Sequence, residues 1–257
     1  MLAENLPLWI RLLIIGAFGV LAAPFLIGPL LLKAQHRIQR GFRIDAQSAA
    51  LLPEAARTAI DAERDALVAA GFAWQGYYDF RDYAPGIRAW FGLWLHTSEV
   101  GLAAMTAAIY QVIPDSEPRF ATAYTELAGS YAGAFSLCVN NASQAGAFEQ
   151  DDKLVLRYPG QGVGELARIY HQVARSHPRC RDLEPILAGQ EVAHIRKQML
   201  RELDGQVREG LYRLDDIEQC YRLTWTGAIV MTMRHLPPFA WLRQAAEMRR
   251  AAGWASP

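Results

Sequence analysis

The chain has 257 residues, and its 26 basic and 26 acidic side chains give a formal net charge of zero. Hydrophobic residues make up 52% and charged residues 20%, which excludes an intrinsically disordered chain. A neutral chain without a long basic block lacks the positive surface that nucleic acids require, so we expect no nucleic-acid partner.

An uncharged, apolar segment covers residues 12–32, between Arg11 and Lys33. As a helix it is long enough to cross a bilayer core of about 30 Å. It shows neither the polar stripe of a helix buried in a protein nor the short apolar stretch of a cleaved signal. The sequence therefore predicts a retained transmembrane helix over 12–32, preceded by a short extracytoplasmic amino terminus over 1–11.

The charges that flank this segment predict its orientation. Basic residues concentrate in 33–52, which we interpret as a juxtamembrane linker, and basic flanks stay preferentially on the cytoplasmic side. We therefore expect a single-pass integral membrane protein with its amino terminus outside and its bulk domain in the cytoplasm. The side chains expected at the membrane interface in this region are Trp9, Lys33, Arg37 and Arg40.

Three cysteines, Cys138, Cys180 and Cys220, are spaced without a C-x-x-C pair. This spacing offers neither a zinc knuckle nor a thioredoxin-like motif. In the cytoplasm they would remain thiols, and we interpret them as small buried hydrophobic residues.

Residues 53–162 predict a helix followed by an antiparallel sheet. Pro53 and Gly71 are typical of the beginning and the end of a helix over 53–70. Short apolar runs rich in aromatic residues then alternate with turn residues, which favours antiparallel strands. We expect these strands at 74–80, 87–96, 102–112, 119–127, 134–140 and 153–158, although the alanines leave strand and helix open for 101–113.

Residues 163–257 predict a helical region, so the expected fold class is α+β with long amphipathic helices at the carboxyl end. Val163 opens one apolar helical pattern, which Pro178 ends, and Val192 to Val207 form the apolar stripe of a second. That stripe is too short for a coiled-coil seam, which favours packing within the fold.

The segment 223–242 admits three interpretations: a helix in the membrane interface, a re-entrant segment, or a buried terminal helix. A full span is disfavoured because it would place Arg234 near the bilayer centre. An interfacial helix would direct aromatic side chains to lipid and arginines to phosphate groups. The residues expected at that interface are Trp225, Phe239, Trp241, Arg249 and Arg250.

The most distinctive polar cluster lies on two strands expected to be neighbours. If the hairpin register brings His96 near Asp79 or Asp82, the carboxylate would orient the imidazole as a general base. These three residues are the candidate catalytic group. Nearby side chains, Arg81, Arg88, Trp90 and Trp94, are the candidate ligand-binding residues, with structural salt bridges over an aromatic core as the competing interpretation.

The sequence contains no metal-binding motif, and we expect no metal and no cofactor. His171 and His177 are six positions apart, so one helix cannot direct both to the same ion. A metal at either histidine would need ligands from elsewhere in the fold.

Because no catalytic signature emerges, the sequence leaves open whether the chain is an enzyme. It favours a non-catalytic subunit or adaptor, with the lipid bilayer and a protein as partners, that positions the protein or a ligand at the cytoplasmic membrane face. The alternative is a membrane-associated enzyme that acts on a lipid or small metabolite through Asp79, Asp82 and His96.

Overall fold

A computed structural model describes residues 7–113, 115–143, 148 and 150–255, without the side chains of 8, 9, 11–22 and 255. The helices are α1 Leu8–Gln35, α2 Glu54–Asp61, α3 Arg64–Ala69, α4 Val163–Ser176, α5 Glu191–Arg208, α6 Trp225–His235 and α7 Phe239–Ala255. The strands are β1 Arg37–Gln39, β2 Arg43–Gln47, β3 Phe72–Arg81, β4 Ile87–His96, β5 Leu102–Gln111, β6 Arg119–Tyr131, β7 Phe135–Asn140, β8 Lys153–Arg157, β9 Tyr212–Asp215 and β10 Cys220–Leu223.

The main element is a seven-stranded sheet in the order β2-β3-β4-β5-β6-β7-β8. Neighbouring strands are antiparallel except β7 and β8, which are parallel. The expected α+β class with a mainly antiparallel sheet is confirmed, and the six expected strands appear within a few residues of their expected bounds. The ambiguous segment 101–113 forms β5, since it pairs with β4 on one side and β6 on the other.

Strand β4 lies inside this sheet and is buried on both faces, which explains its almost continuous apolar sequence. On one face Trp90 and Trp94 pack beneath α2, α3 and α4, together with Leu127 of β6. On the other face Phe91 and Leu93 belong to a cluster that Val192 and Ile195 of α5 partly cover. The sheet is therefore the central layer between helices.

A second sheet of three short strands, β1-β10-β9, was not expected from the sequence. Its strands have three or four residues each, too few for an alternating pattern to be recognised, and β1 falls within the predicted linker. Tyr212 and Tyr221 of this sheet are buried with Leu203 of α5 and Met231 of α6. The long α5 helix thus packs within the chain, as expected.

The predicted transmembrane segment 12–32 does fall within a helix, α1. Within the described part of the chain, however, no helix combines the length and the apolar character that crossing a membrane requires. The predictions of a single-pass transmembrane helix and of an integral membrane protein with a cytoplasmic bulk domain are therefore wrong. The predicted terminus 1–11 lies mostly outside the described residues.

The described carboxyl-terminal part of α1 is a packing surface for α6. Pro29 is buried, and Leu32 packs against the core of the small sheet. A Cβ atom added at Gly28 would lie 2.8 Å from Cγ2 of Thr232, so the two helices approach closely only because position 28 is glycine. Pro29 and Leu32 thus serve packing, whereas Leu26, Ile27, Leu30 and Leu31 are 51% to 69% exposed.

Two other predicted helices are divided. The expected helix over 53–70 forms α2 and α3, with a break at residues 62 and 63. Residues 223–242 contain α6, the turn at the two prolines 237 and 238, and the beginning of α7. The Thr224 hydroxyl accepts a hydrogen bond from the Gly227 backbone N–H and so caps α6.

Candidate functional site

The expected catalytic residue Asp79 is held in a structural ion-pair cluster. Its side chain is only 1% exposed and accepts hydrogen bonds from Arg81 Nε at 2.7 Å and from Arg88 Nη2 at 2.5 Å. The Arg88 guanidinium also lies over the ring of Trp90, 4.4 Å from its centroid. A carboxylate that accepts from two guanidinium groups has its oxygen atoms occupied and is not directed at an open site.

The register of the β3–β4 hairpin separates this cluster from His96. His96 pairs with Phe72, whereas Asp79 pairs with Trp90. Phe72 and Asp79 are about 23 Å apart along the strand, at about 3.3 Å per residue. Asp82 lies beyond the end of β3 and forms an exposed ion pair with Arg43 at 2.8 Å. The structure therefore does not bring His96 together with either aspartate.

The candidate ligand-binding residues have structural contacts. Arg81 and Arg88 hold Asp79, while Trp90 and Trp94 are 4% and 0% exposed and belong to the core. The aromatic side chains of this region thus pack beneath helices.

The residues expected at a membrane interface lie on α1, on β1 and the turn after it, on α6 and on α7. The Lys33 ammonium lies 5.1 Å from the centroid of the Trp225 ring, and Arg37 pairs with Glu218. The Trp9 side chain lies outside the described residues. The remaining members of this group, all exposed, are Arg40, Phe239, Trp241, Arg249 and Arg250.

A different group of polar side chains meets where the β4–β5 turn contacts α4. One nitrogen of His96, one nitrogen of His171 and one carboxylate oxygen of Glu99 lie within 4.8 Å of one another. All three side chains are partly buried. Imidazole nitrogens and carboxylate oxygens are common ligands of transition metals, so this group is a candidate metal site.

The β4–β5 turn fixes His96 and Glu99 relative to each other. The backbone N–H of Glu99 donates to Nδ1 of His96 at 3.0 Å, and the Thr97 N–H donates to the Gly71 carbonyl at 2.9 Å. A Cβ atom at Gly71 would lie 2.8 Å from Nε2 of His96, and Gly71 has a φ of +88°. Glycine is therefore required at position 71 for two reasons. It adopts the left-handed backbone conformation, and its lack of a side chain leaves room for the His96 imidazole.

Helix α4 supplies His171 beside a buried pair of tyrosines. Tyr170 is fully buried, and its hydroxyl group lies 2.8 Å from that of Tyr131. A Cβ atom at Gly129 would lie 2.1 Å from the Tyr170 hydroxyl oxygen, so Gly129 provides the space for this contact. His171 follows Tyr170 directly, and this packing positions it against the turn that carries Glu99.

The distance between two of the donors fits a tetrahedral metal ion. Nδ1 of His171 lies 3.3 Å from Oε1 of Glu99. Two ligands of a tetrahedral zinc ion are about 3.3 to 3.6 Å apart when each is about 2.0 to 2.2 Å from the metal. The His96 nitrogen lies within 4.8 Å of the other two donors, so closing the site needs a side-chain movement of at most about 1.5 Å.

Neighbouring groups with acidic protons stay neutral. Burial raises the pKa of Tyr131 to about 12 and the pKa of the Cys180 thiol to about 11. Burial also raises the pKa of Tyr170. Glu99 supplies the one carboxylate of the group.

The sequence indicated His96 as a candidate general base and not as a metal ligand, and it indicated that a metal at His171 would need ligands from elsewhere in the fold. It did not identify Glu99, although the H-x-x-E spacing of His96 and Glu99 in a turn was a weak local signal. The pairing of this turn with a helix residue far along the chain depends on the docking of α4, which no short motif encodes.

Comparisons with protein family models, with curated proteins and with solved structures find no match for this chain. The functional interpretation therefore depends on the geometry of the site.

Proposed function

We propose that this protein is a non-catalytic subunit whose ligand is a divalent transition-metal ion, bound by His96, Glu99 and His171. The observation that carries the proposal is the convergence of three donor groups within 4.8 Å from two separate elements of the fold. The protein partner expected from the sequence stays a prediction.

The donor set favours zinc over the hard cations. Two imidazole nitrogens and one carboxylate match the ligands that Zn²⁺ takes in proteins. Mg²⁺ and Ca²⁺ prefer oxygen ligands, of which this group supplies one carboxylate. We therefore expect Zn²⁺ to bind far more tightly than Mg²⁺.

The arrangement of the acidic residues supports binding rather than catalysis. The deeply buried Asp79 is paired with two arginines, and Asp82 is paired with Arg43. Neither carboxylate is placed to orient His96 as a general base. In the metal group the one carboxylate, Glu99, serves as a ligand.

Metal binding at His96 would break the hydrogen bond that Nδ1 accepts from the Glu99 backbone N–H. From the hydrogen-bond pattern we assign the proton of the neutral ring to Nε2, because Nδ1 accepts from the Glu99 N–H. Coordination through Nδ1 would replace this hydrogen bond, and coordination through Nε2 would require the ring proton to move to Nδ1, which also breaks it. Metal ions bind deprotonated ligands, so we expect zinc affinity to fall when the pH is lowered.

The proposal is tested by calorimetric titration of the purified full chain with Zn²⁺ after treatment with a chelator. We expect one zinc ion per chain and a loss of affinity of at least about tenfold in the variants His171→Gln and Glu99→Gln. His194→Gln is the matched control, because His194 is a partly buried helix histidine outside the group. Unchanged affinity in both site variants, or an equal loss in His194→Gln, would contradict the proposal.

A second candidate, metal-assisted hydrolysis, is favoured by the number of protein ligands. Three protein ligands leave a tetrahedral zinc ion a fourth position for water, as in catalytic zinc sites. Hydrolysis of p-nitrophenyl acetate by the zinc-loaded protein, lost in His171→Gln, would support this candidate. A zinc-loaded protein that does not exceed the rate of free zinc would exclude it for this ester.

A further inference from the structure

A second polar site lies between α6, α7 and the end of β8, on different elements from the metal group. It is a cavity of about 220 Å³. Cavities for drug-sized ligands are about 300 to 1,000 Å³, so this one suits a smaller molecule. The polar side chains that line it are those of Ser143, Arg157, Arg234, His235, Arg243 and Gln244.

The lining is cationic. Three of the lining residues are arginines, and none of the described lining residues is acidic. Guanidinium groups present several donors in one plane, which fits the oxygen atoms of phosphate and carboxylate groups. A concentration of positive charge in a concave site attracts anions.

A carboxylate at the edge of the cavity orients two of the arginines. Glu247 of α7 accepts a hydrogen bond from Arg243 Nε at 2.8 Å and forms an ion pair with Arg157. All three side chains are between 11% and 16% exposed. Ordered guanidinium groups lose less conformational entropy when a ligand binds, so this contact organises the site for an anion.

His235 and Ser143 add groups of a different kind. Nδ1 of His235 lies 2.8 Å from the Met231 carbonyl oxygen, so this nitrogen carries a proton and donates to the carbonyl. Nε2 of the neutral ring is then an acceptor. A hydroxyl group and an imidazole beside three arginines can bind both the charged oxygens and a protonated oxygen of a phosphate group.

From the charge, size and donor arrangement we propose that this cavity binds the phosphate group of a small molecule, either inorganic phosphate or a small phosphomonoester. Arg157 and Arg243 bind the phosphate oxygens from the side of β8 and α7, and Arg234 binds them from the end of α6. Glu247 balances part of the charge of Arg157 and Arg243, and the bound anion adds to this compensation.

The test is calorimetric titration of the full chain with inorganic phosphate and with glycerol 3-phosphate, at constant ionic strength in chloride. We expect saturable one-to-one binding of at least one probe. Tighter binding of inorganic phosphate would identify the free anion as the preferred ligand, and tighter binding of the ester would identify a phosphomonoester. Absence of saturable binding of both probes would overturn the proposal.

Variants connect the binding to this cavity. We expect Arg234→Gln to weaken phosphate binding at least tenfold and Arg234→Lys, which keeps the charge, to weaken it less. Arg249→Gln removes an exposed arginine of α7 outside the lining and should leave the affinity within twofold. Circular dichroism checks that each variant is folded. Equal affinities of a folded Arg234→Gln and the unchanged protein would overturn the proposal, as would an equal loss in Arg249→Gln.

Discussion

At the scale of single residues, Asp79 and Asp82 differ in what surrounds the carboxylate. The Asp79 side chain is 1% exposed and has two arginine partners, whereas that of Asp82 is 53% exposed and pairs with Arg43. Removing one member of a buried ion pair leaves the other charge without compensation in a poorly solvated place. An exposed pair contributes little because water screens it.

We predict that Asp79→Asn lowers the free energy of unfolding by about 2 to 3 kcal/mol. This is near the low end of the cost of breaking a buried ion pair, because Arg81 and Arg88 are partly exposed and can be solvated. Urea denaturation measures the change. In the control Asp82→Asn the loss should stay below about 1 kcal/mol, and equal losses in the two variants would contradict the structural role of Asp79.

The sequence grouped Asp79, Arg81, Asp82, Arg88 and His96 in one polar cluster, and the structure joins Asp79, Arg81 and Arg88 of them. The hydrophobic pattern did predict β3 and β4 as neighbouring strands. Because the two strands are antiparallel, His96 at the end of β4 pairs with the beginning of β3 and lies far from Asp79. The bulge between Trp74 and Gly76 shifts the register by only one residue.

At the scale of elements, the contact of α4 with β6 positions His171. Gly129 on β6 leaves room for the Tyr170 hydroxyl, which lies within hydrogen-bond distance of that of Tyr131. A side chain at position 129 would force the helix away from the sheet or break this contact. The metal group therefore depends on packing several ångströms away from its donor atoms.

We predict that Gly129→Ala lowers the free energy of unfolding by about 1 to 3 kcal/mol, because the added methyl group overpacks a buried contact. The matched control is Gly164→Ala in α4, where a Cβ atom meets no neighbour within 4 Å. Alanine favours the helix there, so this variant should be neutral or more stable. Thermal unfolding measures the stability of the two variants. A Gly129→Ala protein as stable as the unchanged chain would contradict the packing role of Gly129.

A second contact between elements joins β8 to α5 through Lys153 and Glu202, 2.6 Å apart. Burial alone would lower the pKa of the Lys153 ammonium, but the charge of Glu202 raises it above its ordinary value. A raised lysine pKa contributes stability below the pKa of the unfolded chain, about 10.4, and loses it only as pH rises through the folded value.

We therefore predict that Lys153→Gln costs about 1 kcal/mol of stability at pH 7 and the same at pH 9, because the lysine stays charged over this interval. Chemical denaturation at the two pH values provides the measurement. Lys197→Gln, which removes an exposed lysine of α5, should have little effect. A cost that disappears by pH 9 would show that the ammonium group is not stabilised by Glu202.

The elements differ in how well the sequence defined them. Alternating apolar residues and turn residues sufficed for β3 to β8, since each strand carries its own signal. The hydropathy of the run 12–32 predicted a membrane helix and could not show that Pro29 and Leu32 pack within the fold. The contact of Gly28 with α6 is a tertiary property and has no counterpart in hydropathy.

At the scale of the whole molecule, the metal group joins a sheet turn to a helix, so zinc should stabilise the folded chain. A ligand that binds only the native state adds about 2.7 kcal/mol when its free concentration is 100 times the dissociation constant. We predict a higher unfolding temperature with Zn²⁺ than with Mg²⁺, measured by calorimetry. A metal-independent unfolding temperature in the unchanged protein, or an equal increase in His171→Gln, would contradict this prediction.

The most direct test of the metal site is a crystal structure of the full chain grown with Zn²⁺, with anomalous diffraction recorded at the zinc absorption edge. We predict an anomalous peak among His96, Glu99 and His171, about 2.0 to 2.2 Å from one donor atom of each. An empty group in zinc-loaded crystals, or zinc bound only elsewhere on the chain, would contradict it.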